Sequence, residues 1–119
     1  PQLLIHENPN RFEQKVNPWP RVAGNIMSIE PGYYLGDSHG IRIENQVEIV
    51  ESRPAFCKFA SLTLIPIDLS QVELHLLSES EKQWLEEYHQ QVREALSPRV
   101  DSDARPWLVE ATAPIRVNG

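Results

Sequence analysis

The sequence predicts an α+β protein, with an antiparallel sheet in its first half and a long helix toward its C-terminus. Two observations carry this. Within residues 26–50, IMSIEPGYYLGDSHGIRIENQVEIV, the first residues have the apolar content of a short strand, Pro31-Gly32 and Gly36-Asp37 are turn signals, and from Gly40 apolar and polar side chains alternate at the two-residue period of a sheet covered on one side. Residues 78–96, SESEKQWLEEYHQQVREAL, instead set Leu85, Tyr88, Val92 and Leu96 three and four apart, the spacing of one helix face.

Taken in order, residues 1–9, PQLLIHENP, read as a short apolar strand that ends near His6 and is stopped by Pro9. Residues 10–24 lack usable periodicity and hold Pro18 and Pro20 around Trp19, which makes an irregular loop anchored by the tryptophan. Asn25 to Glu30 has the apolar content of a short strand, and a second strand opens at Gly40, so the hairpin loop between them is expected to be long rather than tight. Along that second strand Ile41, Ile43, Val47 and Ile49 share one face, while Arg42, Glu44, Gln46 and Glu48 share the other. Ser52-Arg53-Pro54 reads as a turn. Residues 56–68, rich in β-branched and aromatic side chains, read as a strand that Pro66 marks as an edge or an ending. Residues 71–77 fit a short strand or a loop equally well. Ser78 with Glu81 three residues later forms a capping-box pattern that starts the long helix, which is expected to stop near Pro98. His89 lies among polar neighbours and is expected to be solvated. A short helix around Trp107 and Leu108 completes the chain.

Composition bounds the function. At 119 residues the chain supports one modest core and a single domain. A net charge of −6, with no basic stripe interleaved with aromatics, excludes nucleic acid as a partner. No apolar run is long enough to span a bilayer and no secretory pattern opens the chain, so no membrane partner is expected. Cys57 is the single cysteine, which leaves no disulfide framework and suits a cytoplasmic setting. The chain opens at Pro1 without methionine, as a fragment, a processed chain or a trimmed one would.

Residues 26–50 also concentrate the chemistry. Glu30 ends the first strand, Arg42 and Glu44 point to one side of the second, and antiparallel pairing can set the Glu30 carboxylate beside that of Glu44. Two carboxylates that close repel unless a proton, a cation or an arginine lies between them. A pair of hard divalent metals bridged by these carboxylates would remove the conflict and activate a water at neutral pH. The same alternation of Arg and Glu is also ordinary on the wet face of an antiparallel strand.

The segments SIEPGYY and GIRIEN, in this order and separated by a short Gly-rich stretch, resemble the signature of the pita-bread metallopeptidases, specifically the aminopeptidase P (Xaa-Pro aminopeptidase) branch. Upstream, His6-Glu7-Asn8-Pro9 resembles that family's His-Glu-x-Pro element. Downstream, SLTLIPID followed by LLSESEKQWLEEYHQQVREALSP resembles the C-terminal extension of the larger aminopeptidase P enzymes. Ala23-Gly24 departs mildly from the Pro-Gly usual at that turn.

The resemblance implies the C-terminal half of a pita-bread fold, with residues 1–119 as one partial domain and residues from about 52 to 119 as its extension. It implies Glu30 and Glu44 as two ligands of a site for two divalent metal ions, manganese foremost and zinc or cobalt as alternatives. His6 would be a substrate-contacting histidine that helps move protons, Tyr34 a substrate-side hydroxyl, and Arg42 the cation that steadies the carboxylates. The substrate would be a peptide with proline at its second position, losing the residue before that proline. The family's remaining ligands, two aspartates and a histidine, have no counterpart here. They are expected before Pro1, so the missing N-terminal half is an expected partner and the chain alone is expected to be inactive. A homodimer is compatible with this reading. Two alternatives stay open: a prolidase acting on dipeptides, which shares the EPG and RIE elements, and a pita-bread binding or oligomerisation module without catalysis.

Overall fold

The computed structural model describes Pro18 and residues 20–115. The chain divides after Thr63 into two compact units.

Among the described residues the first unit holds five strands: β1 (Ile26–Ile29), β2 (Gly32–Leu35), β3 (His39–Arg42), β4 (Asn45–Arg53) and β5 (Phe56–Ser61). They form a three-stranded sheet in the order β1-β4-β5 and a two-stranded arm, β2-β3. Met27, Val47 and Ile49 are buried on one side of the larger sheet with Ile29 packed against them, as alternation requires. The pairs Ile26↔Glu48 through Ile29↔Asn45 and Gly32↔Arg42 through Leu35↔His39 share one offset, each step forward on one strand matching a step back on the other. The two ladders are thus one long hairpin with a gap. Pro31 explains the gap, since it faces Ile43 and has no N–H to give, so only the return bond from Ile43 N–H to the Pro31 carbonyl forms, at 3.3 Å.

Several expectations are corrected here. The strand expected to run unbroken from Gly40 is divided at Ile43-Glu44 into β3 and β4. The hairpin loop is tight: Leu35 pairs with His39, Ser38 N–H donates to the Leu35 carbonyl at 3.2 Å, and Asp37 takes a positive φ of 57°, a conformation aspartate tolerates. The strand expected over residues 56–68 stops at Ser61, and its turn lies one step later, at Pro54-Ala55, because a register shift between Glu51 and Arg53 keeps Arg53 in β4. Of the four aliphatic residues assigned to one face, Val47 and Ile49 are buried, whereas Ile41 and Ile43 are exposed on the arm and its junction.

The second unit begins at Leu64. Residues 71–77, which fit a strand or a loop in sequence, hold a short 3-10 turn at Leu74–Leu76, and another, Leu69–Gln71, leads into them. Helix α1 (Glu79–Leu96) starts at the expected capping box, with Ser78 N–H donating to Glu81 Oε2 at 2.8 Å and Glu81 N–H to Ser78 Oγ at 3.3 Å. Helix α2 (Arg105–Ala111) carries Pro106 in its first turn, where a missing N–H is harmless. Tyr88, Val92 and Leu108 form the core, with Leu64, Ile67, Leu96 and Val100 packed around it. Two polar tethers close this unit: Tyr88 Oη donates to the Ile65 carbonyl at 2.8 Å, and Arg93 Nε donates to Thr112 Oγ1 at 3.0 Å. His89 is buried rather than solvated, at 1% exposure, and its Nε2 accepts the Ile67 N–H at 3.1 Å. The buried stripe of α1 is wider than its aliphatic residues alone suggest, and position 89, one turn past Leu85, falls inside it.

Candidate metal centre

The gap between the two ladders is where the acidic residues fall. Because both ladders share one offset, Glu30 and Glu44 lie opposite each other, each at the end of its strand pair. Opposed residues of an antiparallel pair project to the same face, and positions two apart do so as well. Ser28, Glu30, Gly32 and Tyr34 on one strand therefore share a face with Gly40, Arg42, Glu44 and Gln46 on the other, while the buried Met27, Val47 and Ile49 occupy the reverse side.

Side-chain contacts follow this parity. Arg42 Nη1 donates to Glu30 Oε2 at 3.2 Å, and Arg42 Nη2 lies 3.4 Å from Glu44 Oε2. The guanidinium thus sits astride both acids and offsets their repulsion, as a planar fork with several donors can. Glu30 is held from its other side as well, since Ser28 Oγ donates to its Oε1 at 2.7 Å. The Glu30 side chain is 22% exposed and that of Glu44 34%, so solvent reaches both carboxylates. Tyr34 stands on the same face with its ring laid over Gly32 and Gly40.

Of the sequence-predicted residues, the structure brings Glu30, Arg42, Glu44 and Tyr34 onto one face; His6 and Trp19 lie outside the described residues. Sequence reasoning missed Ser28, although its place two residues before Glu30 carried the signal. Two carboxylates on one face match the donor chemistry of manganese, zinc or magnesium-like ions. Among the described residues no group of three or more His, Cys, Asp or Glu side chains converges.

A family profile describing the C-terminal region of peptidase_M24 matches residues 55–115. The chain belongs to that family. Among relatives of this peptidase_M24 chain, Xaa-Pro aminopeptidase app-1 of Caenorhabditis elegans is 43% identical over 124 residues, covering 95% of this chain and 20% of the relative. Aminopeptidase P2 of Arabidopsis thaliana is 35% identical over 122 residues, covering 95% of this chain and 17% of the relative. A crystal structure of X-prolyl aminopeptidase from Caenorhabditis elegans, described as a cytosolic enzyme with a di-nuclear active site, superposes with a TM-score of 0.71 at 42% identity, over 79% of this chain and 17% of that one. The chain spans about a fifth of the length of the curated relatives it matches. The α+β fold and the resemblance to the C-terminal part of an aminopeptidase P are both borne out. Among the described residues no helix is long and apolar enough to cross a membrane.

Proposed function

We propose that the protein carrying this chain is a metal-dependent Xaa-Pro aminopeptidase acting in the cytoplasm, and that this chain supplies Glu30 and Glu44 as carboxylate ligands of its two divalent metal ions. The observation that carries the reading is the shared register of the two ladders, which sets the two carboxylates opposite each other with Arg42 astride them. Names of relatives that span this chain support the reaction, and the di-nuclear active site described for the nematode enzyme supports the metal count. Manganese is our first choice and zinc or cobalt the alternatives, since oxygen donors accept all three. When bound, the metals supply Lewis-acid polarisation of the scissile carbonyl and an acidified water.

The chain's own residues have separate tasks in this scheme. Glu30 and Glu44 bind. Ser28 and Arg42 orient them, each holding a different oxygen of Glu30. Tyr34 offers a hydroxyl to the substrate peptide, and His6 moves a proton between substrate and solvent near neutral pH. We further assign residues from about 52 onward to a C-terminal extension of the catalytic domain, a reading supported by the family match at 55–115 and the compact unit starting at Leu64.

The test uses the full-length protein. Glu30→Gln and Glu44→Gln should each lose metal and turnover together, whereas His6→Ala should lower turnover with metal content nearly intact. Metal analysis beside kinetics on an Xaa-Pro peptide separates the two outcomes, and a Glu30 variant with full metal and activity overturns the assignment.

A further inference from the structure

The glycines of the arm raise a question that the metal ligands do not answer. Gly32 and Gly40 sit inside β2 and β3, where glycine weakens a strand, and neither takes a positive φ; Gly24 is the glycine that does among the described residues. Backbone conformation therefore gives no reason for them. Their surroundings do. A Cβ on Gly40 would lie 2.6 Å from Cδ1 and 3.0 Å from Cε1 of Tyr34, and a Cβ on Gly32 would lie 2.8 Å from both Cε2 and Oη of the same ring. A Cβ on Gly36, at the turn, meets nothing. One edge of the Tyr34 ring thus rests on its cross-strand partner Gly40, and the phenol end turns back along its own strand to Gly32, the residue paired with Arg42 and two positions from Glu30.

We propose that Gly32 and Gly40 are positioning residues: together they form a floor without side chains that lays the Tyr34 ring flat on the arm and aims its hydroxyl toward the Glu30, Arg42 and Glu44 cluster. Tyr34 is 65% exposed, and a side chain so open has several rotamers available. The glycine floor selects one of them, and the hydroxyl meets a substrate group at the carboxylates without first losing that freedom. The ligand class is the backbone of a peptide, whose carbonyls and amides a phenol can both serve. This rests on the reading of the face as the metallopeptidase site.

The experiment compares Gly40→Ala, Gly32→Ala, Tyr34→Phe and the Gly40→Ala/Tyr34→Phe double variant in the full-length, metal-loaded protein. An alanine is compatible with strand backbone at both positions, and the group it strikes is the movable end of a side chain, so folding and metal content should be retained. Tyr34→Phe should lower kcat/KM about threefold to tenfold, the worth of one hydrogen bond from a neutral hydroxyl. Gly40→Ala and Gly32→Ala should lower it to a similar degree, and Gly40→Ala should add no further loss once the hydroxyl is gone. Crystal structures of the alanine variants should show the Tyr34 ring lifted off the arm. An undisplaced ring in both alanine variants overturns the proposal, as does a Gly40→Ala loss that persists in full in the Tyr34→Phe background. A displaced ring with no kinetic effect of any Tyr34 change also overturns the functional role, and if Glu30→Gln then keeps metal and activity, it is the metallopeptidase reading that has failed.

Discussion

Acidification should destabilise the second unit through His89, and His89→Gln should abolish that component. Burial at 1% exposure is the main reason its pKa lies below the ordinary histidine value, and the nearby Arg93 cation pushes the same way. A backbone bond raises a histidine's pKa when the ring is the donor, but here the Ile67 amide donates to Nε2, so that bond also favours the neutral ring. The proton then sits on Nδ1, which is buried and has no partner among the described residues. With a folded pKa below the unfolded one, the unfolded chain binds the proton first as pH falls, so stability drops from about pH 6.5 downward and levels off below the folded pKa. Between about pH 7.5 and 5.5 the loss can reach at most about 1.4 kcal/mol, the limit set by protonation of the unfolded ring alone. Glutamine can still accept the Ile67 N–H and does not titrate, so its fixed cost is the same at every pH and cancels from the slope. Urea unfolding followed by tryptophan fluorescence, run across this range for both proteins, isolates the term because every other histidine is common to both. Parallel stability profiles, or a wild type that gains stability on acidification, would refute the reasoning.

Two further outcomes test the packing of the same unit. Leu108→Ala removes most of a side chain with 0% exposure and should cost about 2–5 kcal/mol, read as a lowered urea midpoint with an unchanged slope. Ser78→Ala opens the capping box and should cost about 1 kcal/mol, with helix content falling first at the start of α1 when followed by amide exchange.

The site was more legible in the sequence than the sheet that presents it. Arg42, Glu44 and Glu30 follow from parity alone, because a strand has only two faces and a hairpin pairs them in order. Parity does not tell whether a face is covered: Ile41 and Ile43 continue the apolar series of Val47 and Ile49, yet they lie where the sheet has narrowed to two strands or gives way at the gap, and they are exposed. Pro31 is a turn signal in the sequence, although its lasting effect is on the partner strand, which loses a donor opposite Ile43. The tight turn was available from Tyr33, Tyr34 and Leu35, strand formers that extend β2 almost to Asp37. The polar neighbours of His89 point to solvent, whereas its spacing from Leu85 and Val92 places it in the stripe; spacing does not reveal that a backbone amide awaits the ring. The helix was legible to its cap, because Ser78 and Glu81 carry out their roles within a single turn.

The single offset shared by the two ladders also limits where this region can change in length. One residue inserted between Glu30 and Tyr34 would turn Tyr34 to the opposite side of the arm, and one between Arg42 and Glu44 would do the same to Arg42 relative to Glu44, unless a bulge absorbed it. The tip is different. Residues inserted between Gly36 and Ser38 lengthen a turn that no ladder bond crosses, leaving every pairing below it intact. Insertions and deletions in related sequences should therefore gather at the tip and be rare along the arm's two flanks.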